Sequence, residues 1–390
     1  MKPQKPLWFI LVLFFVVPSV KGPSFSAGTW RSAYVEATRA HFGTIAAAPL
    51  PADSLFSRER HVIKLAEGVY EIRHEDPFPG WVHGNTTVII GTKEVFVVDS
   101  CQLSTSARGD IAQIRQWTSK PVRYLLNTHW HLDHTGGNKD YMDEYPSLTI
   151  IAHTETRKMM DATSMSLPSL MLKEATATQA RLQKNIETGK SPDGKPLTER
   201  DKAETVQKLA LIGAIIDQAK GFAYRGPTLI FDRELIVDLG NREVHIKHLG
   251  RGNTAGDAFV YLPKEKILIT GDLLDHPVPY AFDGYPSEWI QTLERMAQLD
   301  AETIVPGHGE VLHDKTFLYQ VIDLMKSVVA QVNKQLNLNY EATLDEVKKS
   351  LDVKSFRQAI AGDDKANAGF FDNSIGSSFV ELAYYEAKQR

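Results

Sequence analysis

Lysine and arginine number 44 against 48 aspartates and glutamates in 390 residues, a formal net charge of -4, and no Lys/Arg-rich run builds a basic field locally, so nucleic acid is not an expected partner. With 43% hydrophobic and 24% charged residues, the chain is neither disordered nor fibrous and can bury a large core. Cys101 is the only cysteine, which excludes an internal disulfide and leaves stability to that core.

Met1, Lys2 and Lys5 precede the apolar run Leu7 to Val20, a positive region followed by a stretch too short to span a bilayer comfortably; residues 1–26 are read as a secretory signal cleaved before Ala27. The expected location is therefore exported, periplasmic or secreted. No later segment looks transmembrane, so no stable membrane insertion is expected once the signal is removed, and residues 27–390 are read as one domain.

From His61 to Ser100, short β-branched or aromatic runs at Val69 to Ile72, Thr87 to Ile90 and Glu94 to Val98 read as strands, separated by Gly68, Gly91 and the Pro77-Phe78-Pro79-Gly80 turn. Residues 106–118 follow helical spacing after the capping candidates Ser104 and Thr105, and Pro121 introduces a strand from Val122 to Leu126. Cys101 reads as a small residue at a strand end. After a strand at Leu148 to Ala152, residues 155–224 are rich in Lys, Glu, Gln and Ala and read as an inserted helical element broken at Pro168 and around Ser191-Pro192-Asp193-Gly194.

Strand signals resume at residues 228–231, 234–237, 244–248, 258–262 and 266–270, then a helix from Ser287 and a strand at Thr303 to Val305. Beyond residue 314, Phe317, Val321, Leu324 and Val328 keep helical spacing, and Thr343 with Glu346 makes a capping box. Two similar halves of mixed strands and helices predict an α/β fold of two face-to-face sheets with helices outside, a four-layer αββα sandwich with core residues 61–313 and C-terminal helices 314–390.

The chemistry concentrates in Asn127-Thr128-His129-Trp130-His131-Leu132-Asp133-His134-Thr135-Gly136-Gly137-Asn138, four potential ligands within six residues after a strand. In extended chain, residues two apart point the same way, so His129 and His131 share one ion, while Asp133 and His134 face a second where the chain turns. Neutral imidazole and carboxylate suit zinc, and a catalytic zinc keeps a position open for water.

The segment His129 to His134 resembles the signature of the metallo-β-lactamase superfamily, whose fold is the same sandwich. The resemblance implies further ligands: Asp272, after Gly271, as a bridging aspartate, and His308, within Pro306-Gly307-His308-Gly309, as the last histidine. It also exposes a departure, because the family's Gly-x-Gly-His-Thr is here Gly250-Arg251-Gly252-Asn253-Thr254. An amide oxygen binds zinc less well than imidazole, so two zinc ions of unequal affinity are expected, weaker at His129, His131 and Asn253 than at Asp133, His134, Asp272 and His308.

Trp130, Asn138, Tyr280 and Phe282 are placed near the centre by sequence proximity and are the expected substrate contacts. The resemblance implies a zinc-dependent hydrolase acting on a small-molecule amide or ester, of β-lactam or lactone type, and the exported location expected from residues 1–26 suits a β-lactam. A metal-bound hydroxide would attack the carbonyl, with Asp133 orienting it as the catalytic residue. Two alternatives stand beside this reading: a mononuclear iron oxygenase of the same fold, since two histidines and a carboxylate can hold iron, and a non-catalytic metal-binding protein, since one ligand is missing.

Overall fold

In a computed structural model the protein is described at residues 60–74, 83–163 and 166–389; the expected signal segment 1–26 and the turn at Pro77 to Gly80 lie outside the described residues. The first sheet runs in the order β1-β2-β3-β4-β5-β6-β7, with β1 (Arg60–Ala66), β2 (Val69–His74), β3 (Thr86–Ile90), β4 (Val95–Val98), β5 (Val122–Leu126), β6 (Thr149–His153) and β7 (Leu229–Phe231). Strands β1 to β4 pair antiparallel and β4 to β7 parallel.

The change of sense follows from the connections. Parallel neighbours need a crossover, and helix α1 (Ser104–Trp117) supplies it between β4 and β5, as the short helices α2 (Leu132–Thr135) and α3 (Asn138–Glu144) do between β5 and β6. Such strands are covered on both faces and read as unbroken apolar runs. In β4, Val95 and Val97 pack towards α1, while Phe96 and Val98 face the second sheet.

The second sheet has the order β12-β11-β10-β9-β8, built from β8 (Glu234–Asp238), β9 (Glu243–Lys247), β10 (Phe259–Leu262), β11 (Ile267–Ile269) and β12 (Thr303–Val305). Helix α7 (Pro286–Ala297) carries the one parallel crossover of this sheet, from β11 to β12. Phe96, Leu126 and Ile151 of the first sheet meet Ile246, Val260 and Ile269 of the second in a dry layer between the sheets. The four-layer αββα architecture expected from the sequence is the observed one.

Three helices, α4 (Thr154–Thr163), α5 (Ser166–Thr188) and α6 (Glu199–Lys220), form the insertion before β7. Helix α5 starts at Ser166, so Pro168 falls in its first turn, where no intrahelical donor is required, and does not break the helix as expected. Ser104 and Thr105 do not cap α1, whose N-cap is Leu103. The orphan Thr105 N–H is instead met by Gln218 Oε1 of α6 at 3.1 Å, with Thr105 Oγ1 donating to the same oxygen at 3.0 Å, so the insertion caps the first crossover helix.

The chain ends in α8 (Thr316–Leu338), α9 (Leu344–Ser350), α10 (Lys354–Ala361), α11 (Lys365–Asn373), a π-helical turn (Ser374–Phe379) and α12 (Val380–Lys388). Thr343 and Glu346 form the expected capping box. Phe371, Ile375 and Phe379 join Trp289, Leu293 and Leu318 in one core against the outer face of the second sheet. No helix among the described residues is long and apolar enough to cross a membrane.

Candidate metal centre

Four strand ends meet on one edge of the sandwich, and each delivers one part of the site. Asp99 follows β4, His129 to His134 follow β5, Asp272 follows β11 and His308 follows β12. Asp99 turns back with a left-handed backbone, φ 59°. Its Oδ1 accepts from Thr128 N at 2.8 Å and its Oδ2 from Thr128 Oγ1 at 2.7 Å, which fixes the start of the histidine loop. The loop's other end is pressed onto residues 100–102, where a Cβ on Gly136 would run into the Gln102 carbonyl and one on Gly137 into that of Ser100. Both glycines are therefore demanded by close backbone approach.

The side chains converge in two groups joined by one carboxylate. His129, His131 and Asp272 offer donor atoms all within 4.8 Å of one another, and so do Asp133, His134 and His308. Asp272 spans them, with Oδ2 3.4 Å from His129 Nε2 and Oδ1 3.0 Å from His134 Nε2. Asp133 Oδ2 lies 3.2 Å from His308 Nε2 and 3.7 Å from His134 Nε2.

This donor set fits a pair of divalent cations. His129 Nε2 and Asp272 Oδ1 are buried and make no properly directed hydrogen bond despite these close neighbours, the arrangement expected of atoms turned towards a common point between them. Donors of this type at 2.0–2.2 Å from zinc would stand about 3.3 Å apart in a tetrahedron, close to the separations seen.

The electrostatics are those of a strongly coupled buried cluster. Burial pushes His129 down to about 4. Burial also opposes a charge on His134 and His308, but the carboxylates around them win: Asp272, Asp133 and Asp99 hold His134 well above its ordinary range, and Asp272, Asp133 and Asp275 raise His308 to about 9. Asp133 and Asp272 lie below the usual carboxylate range against the pull of burial, because His134 beside each favours the charged form. Protonated imidazoles thus balance carboxylates in the place where bound cations would do so.

Each expected residue has a definite place. His129 and His134 are fully buried, and His131 is partly exposed at the mouth. Trp130 is buried edge-on to His131, ring centroids 4.6 Å apart, and Tyr280 stacks on His308 at 4.8 Å. Phe282 lies 6.3 Å from Tyr280. Asn253 is buried with its Nδ2 unpartnered, and the carboxylate that closes on His129 and His131 is Asp272.

Asn138 needs a correction. Its Nδ2 donates to Asn127 Oδ1 at 2.9 Å and Arg225 O at 3.0 Å, and its Oδ1 accepts from Ser100 Oγ at 2.9 Å and Asn127 Nδ2 at 3.0 Å. A buried amide occupied on both sides braces the loop and has no group left for substrate.

Four participants had escaped the sequence reading. Asp99 Oδ2 takes the His134 Nδ1 at 2.8 Å; its position immediately after a strand and ahead of the cysteine was the available signal. Asp275 joins Asp272 and His308 in a third donor group within 4.8 Å, and burial together with the Asp272 charge holds it well above the carboxylate range. Asp283 Oδ2 stands 3.5 Å from His131 Nε2 at the mouth. Phe370 of α11 packs on Tyr280 at 4.7 Å and on Phe282 at 5.8 Å, and no local pattern links a helix so far along the chain to the centre.

Sandwich and donor groups together define a protein built to hold metal at the strand ends of two facing sheets. The model of the metallo-beta-lactamase superfamily matches residues 79–308, and the chain belongs to that superfamily. Among curated relatives, a linear primary-alkylsulfatase of Pseudomonas sp. is 22% identical over 250 residues, 62% of this chain and 44% of that protein. A beta-lactamase-like protein 2 homolog of Caenorhabditis elegans is 23% identical over 251 residues, 64% of each chain. The chain thus spans about half to two thirds of the length of these relatives.

Among solved structures, a stereoselective inverting sec-alkylsulfatase from Pseudomonas sp. superposes with a TM-score of 0.56 at 14% identity, covering 84% of this chain and 50% of that one. A metallo-beta-lactamase from Pontibacter korlensis gives 0.50 at 17%, covering 69% and 99%. Both likenesses are of fold.

Proposed function

We propose that the protein is an exported hydrolase of small molecules that holds two zinc ions of unequal affinity and cleaves an amide or ester bond. The observation that carries this reading is the position of Asp272, whose two oxygens reach one donor group each. When bound, the ions supply an electrophile for a substrate oxygen and bring the pKa of a coordinated water to about 7.

The chain's own residues do the rest. Asp133, close to His308 and His134 and partly open to solvent, orients the attacking water. Asp99 fixes His134 in the tautomer that presents Nε2 to the centre. Asp275, whose carboxylate lies within 4.8 Å of the Asp272 and His308 donor atoms, is placed to hold or pass a proton on the His308 side of the centre.

Tyr280, Phe282 and Phe370 make one aromatic wall beside His308, which suits a substrate with an apolar group. That wall favours a second class worth assaying, sulfate esters of alkyl chains, the compounds named for two of the relatives. Export rests on the positive and apolar run at residues 1–26, and sequencing the N-terminus of the mature protein tests it.

A panel of β-lactams, lactones, carboxylic esters and alkyl sulfates, assayed with zinc, manganese or iron, tests the function. Zinc-dependent hydrolysis of at least one class is expected, and Asp133→Asn should lower kcat by about 10²- to 10⁴-fold, the usual worth of a group that directs proton transfer, with an unchanged circular dichroism spectrum. Iron-dependent oxygen uptake without hydrolysis would overturn the reading in favour of an oxygenase.

A further inference from the structure

A second cluster of ligating side chains lies beside the segment that carries Asp99, and it shares no residue with the first. His74 ends β2, Cys101 follows β4 two residues after Asp99, and Asp110 stands in the middle of α1. All three are fully buried or nearly so. Asp110 Oδ2 lies 3.0 Å from His74 Nε2 and 3.9 Å from Cys101 Sγ, and the three donor atoms fall within 4.8 Å of one another.

Zinc bond lengths of about 2.3 Å to sulfur and 2.0–2.2 Å to nitrogen and oxygen place tetrahedral donors about 3.3 Å (nitrogen to oxygen) and 3.6 Å (sulfur to oxygen) apart. The observed 3.0 Å (nitrogen to oxygen) and 3.9 Å (sulfur to oxygen) each lie within about 0.3 Å of those values. Arg60 Nη1 approaches the other carboxylate oxygen, Asp110 Oδ1, at 3.4 Å, so Oδ2 remains turned to the histidine and the cysteine.

A separate observation points into the same pocket. The Tyr141 hydroxyl, on a side chain with 0% exposure, has no hydrogen-bond partner. An unmade bond at a buried hydroxyl costs about 1–3 kcal/mol, and such groups are rare in folded proteins unless something unseen satisfies them. Tyr141 packs in the same buried cluster as Cys101 and as Ala107 and Ile111, which flank Asp110 on α1.

We propose that His74, Cys101 and Asp110 form a second metal site, structural and specific for a borderline-soft divalent cation such as zinc, with the Tyr141 hydroxyl closing its fourth side. The cation takes the place of the thiol proton, which is released, and of the His74–Asp110 hydrogen bond. Cation, thiolate and carboxylate then sum to zero charge, with the imidazole and phenol neutral and Arg60 still paired with Asp110 Oδ1. An ion here ties β2, α1 and the loop after β4 together, and so stiffens the segment from which Asp99 reaches His134.

The single cysteine makes the test selective, since the catalytic donors contain no sulfur. The full chain is stripped of metal, unfolded, and refolded with cobalt(II), because a buried site fills as the chain folds. The expected spectrum carries a thiolate-to-cobalt charge-transfer band in the near ultraviolet beside the visible bands of the catalytic centre. Cys101→Ser loses that band, keeps the visible ones and binds one equivalent of metal fewer, and Asp110→Asn and His74→Gln weaken it.

Visible bands with no near-ultraviolet band in the wild type, or a band that survives in Cys101→Ser, would overturn the proposal. Should Cys101→Ser fail to refold, X-ray absorption of the zinc-loaded wild type decides. A sulfur neighbour at about 2.3 Å from part of the zinc supports the site, and a shell of nitrogen and oxygen alone rejects it.

Discussion

Asp99 is the residue on which the geometry of the histidine loop turns. It reaches neither His129 nor His308, yet it accepts from Thr128 twice and from His134 Nδ1 once, so it sets where the loop starts and which nitrogen His134 offers. Carboxylates behind a ligating histidine raise its basicity and fix its ring, and losing one typically lowers metal affinity 10- to 100-fold. Asp99→Asn should weaken binding by that factor at the group formed by Asp133, His134 and His308. Competition titration with a chelator measures it, and an unchanged affinity would show that His134 is held by the packing of Gly136 and Gly137 alone.

At the scale of elements, β2 carries an acid where a core residue is expected. Glu71 is fully buried with both oxygens unpartnered, and burial raises it to about 8, with Glu310 assisting and Arg73 opposing. The folded state therefore holds a proton that the unfolded chain, with an ordinary value of 4.5, releases earlier. A raised folded value contributes stability in full below about pH 4.5 and loses it as the pH climbs through 8, at up to about 1.4 kcal/mol per pH unit. Glu71→Gln should match the wild type near pH 5 and exceed it near pH 9 in chemical denaturation. Equal stability at both would mean that the carboxylate is solvated in the folded protein.

Helix α11 is the other element with a role beyond packing, because its Phe370 completes the wall begun by Tyr280 and Phe282. If the substrate's apolar group rests there, Phe370→Ala should raise KM roughly tenfold for long-chain substrates, within the range that a lost apolar contact produces. Its kcat should change little, as should KM for the shortest members of the series. An equal effect on short and long chains would assign Phe370 to the core only.

Taken as a whole, the molecule folds around charges that need compensation. Ions bound at a thousandfold excess over Kd contribute about 4 kcal/mol each, so removal of metal by a chelator should lower Tm by several degrees, and zinc should restore it in two steps if the two groups differ in affinity. A Tm indifferent to metal would show that the protonated His134 and His308 suffice. The sandwich and the ligands from His129 to His134 were legible because their signals are local: β-branched runs, turn glycines, and four donors in six residues. Asp99, Asp275 and Asp283 were not, because a single aspartate in a loop looks like any turn residue until the strands bring it home. The edge strand β1 was missed for a related reason, since its burial pattern alternates weakly.

The C-terminal helices share one core with α7 and the outer face of the second sheet, and this bears on how the protein can be cut. The stretch matched by the superfamily ends at residue 308, so a fragment trimmed to it would leave Phe259, Leu268 and Ile304 facing water and remove Phe370 from the site. At its other end the same cut would delete β1 and β2, baring the edge of β3 for pairing with other chains. The stretch matched by the superfamily is thus smaller than the unit that folds here, and expression, crystallisation or grafting should keep residues 60–389 together.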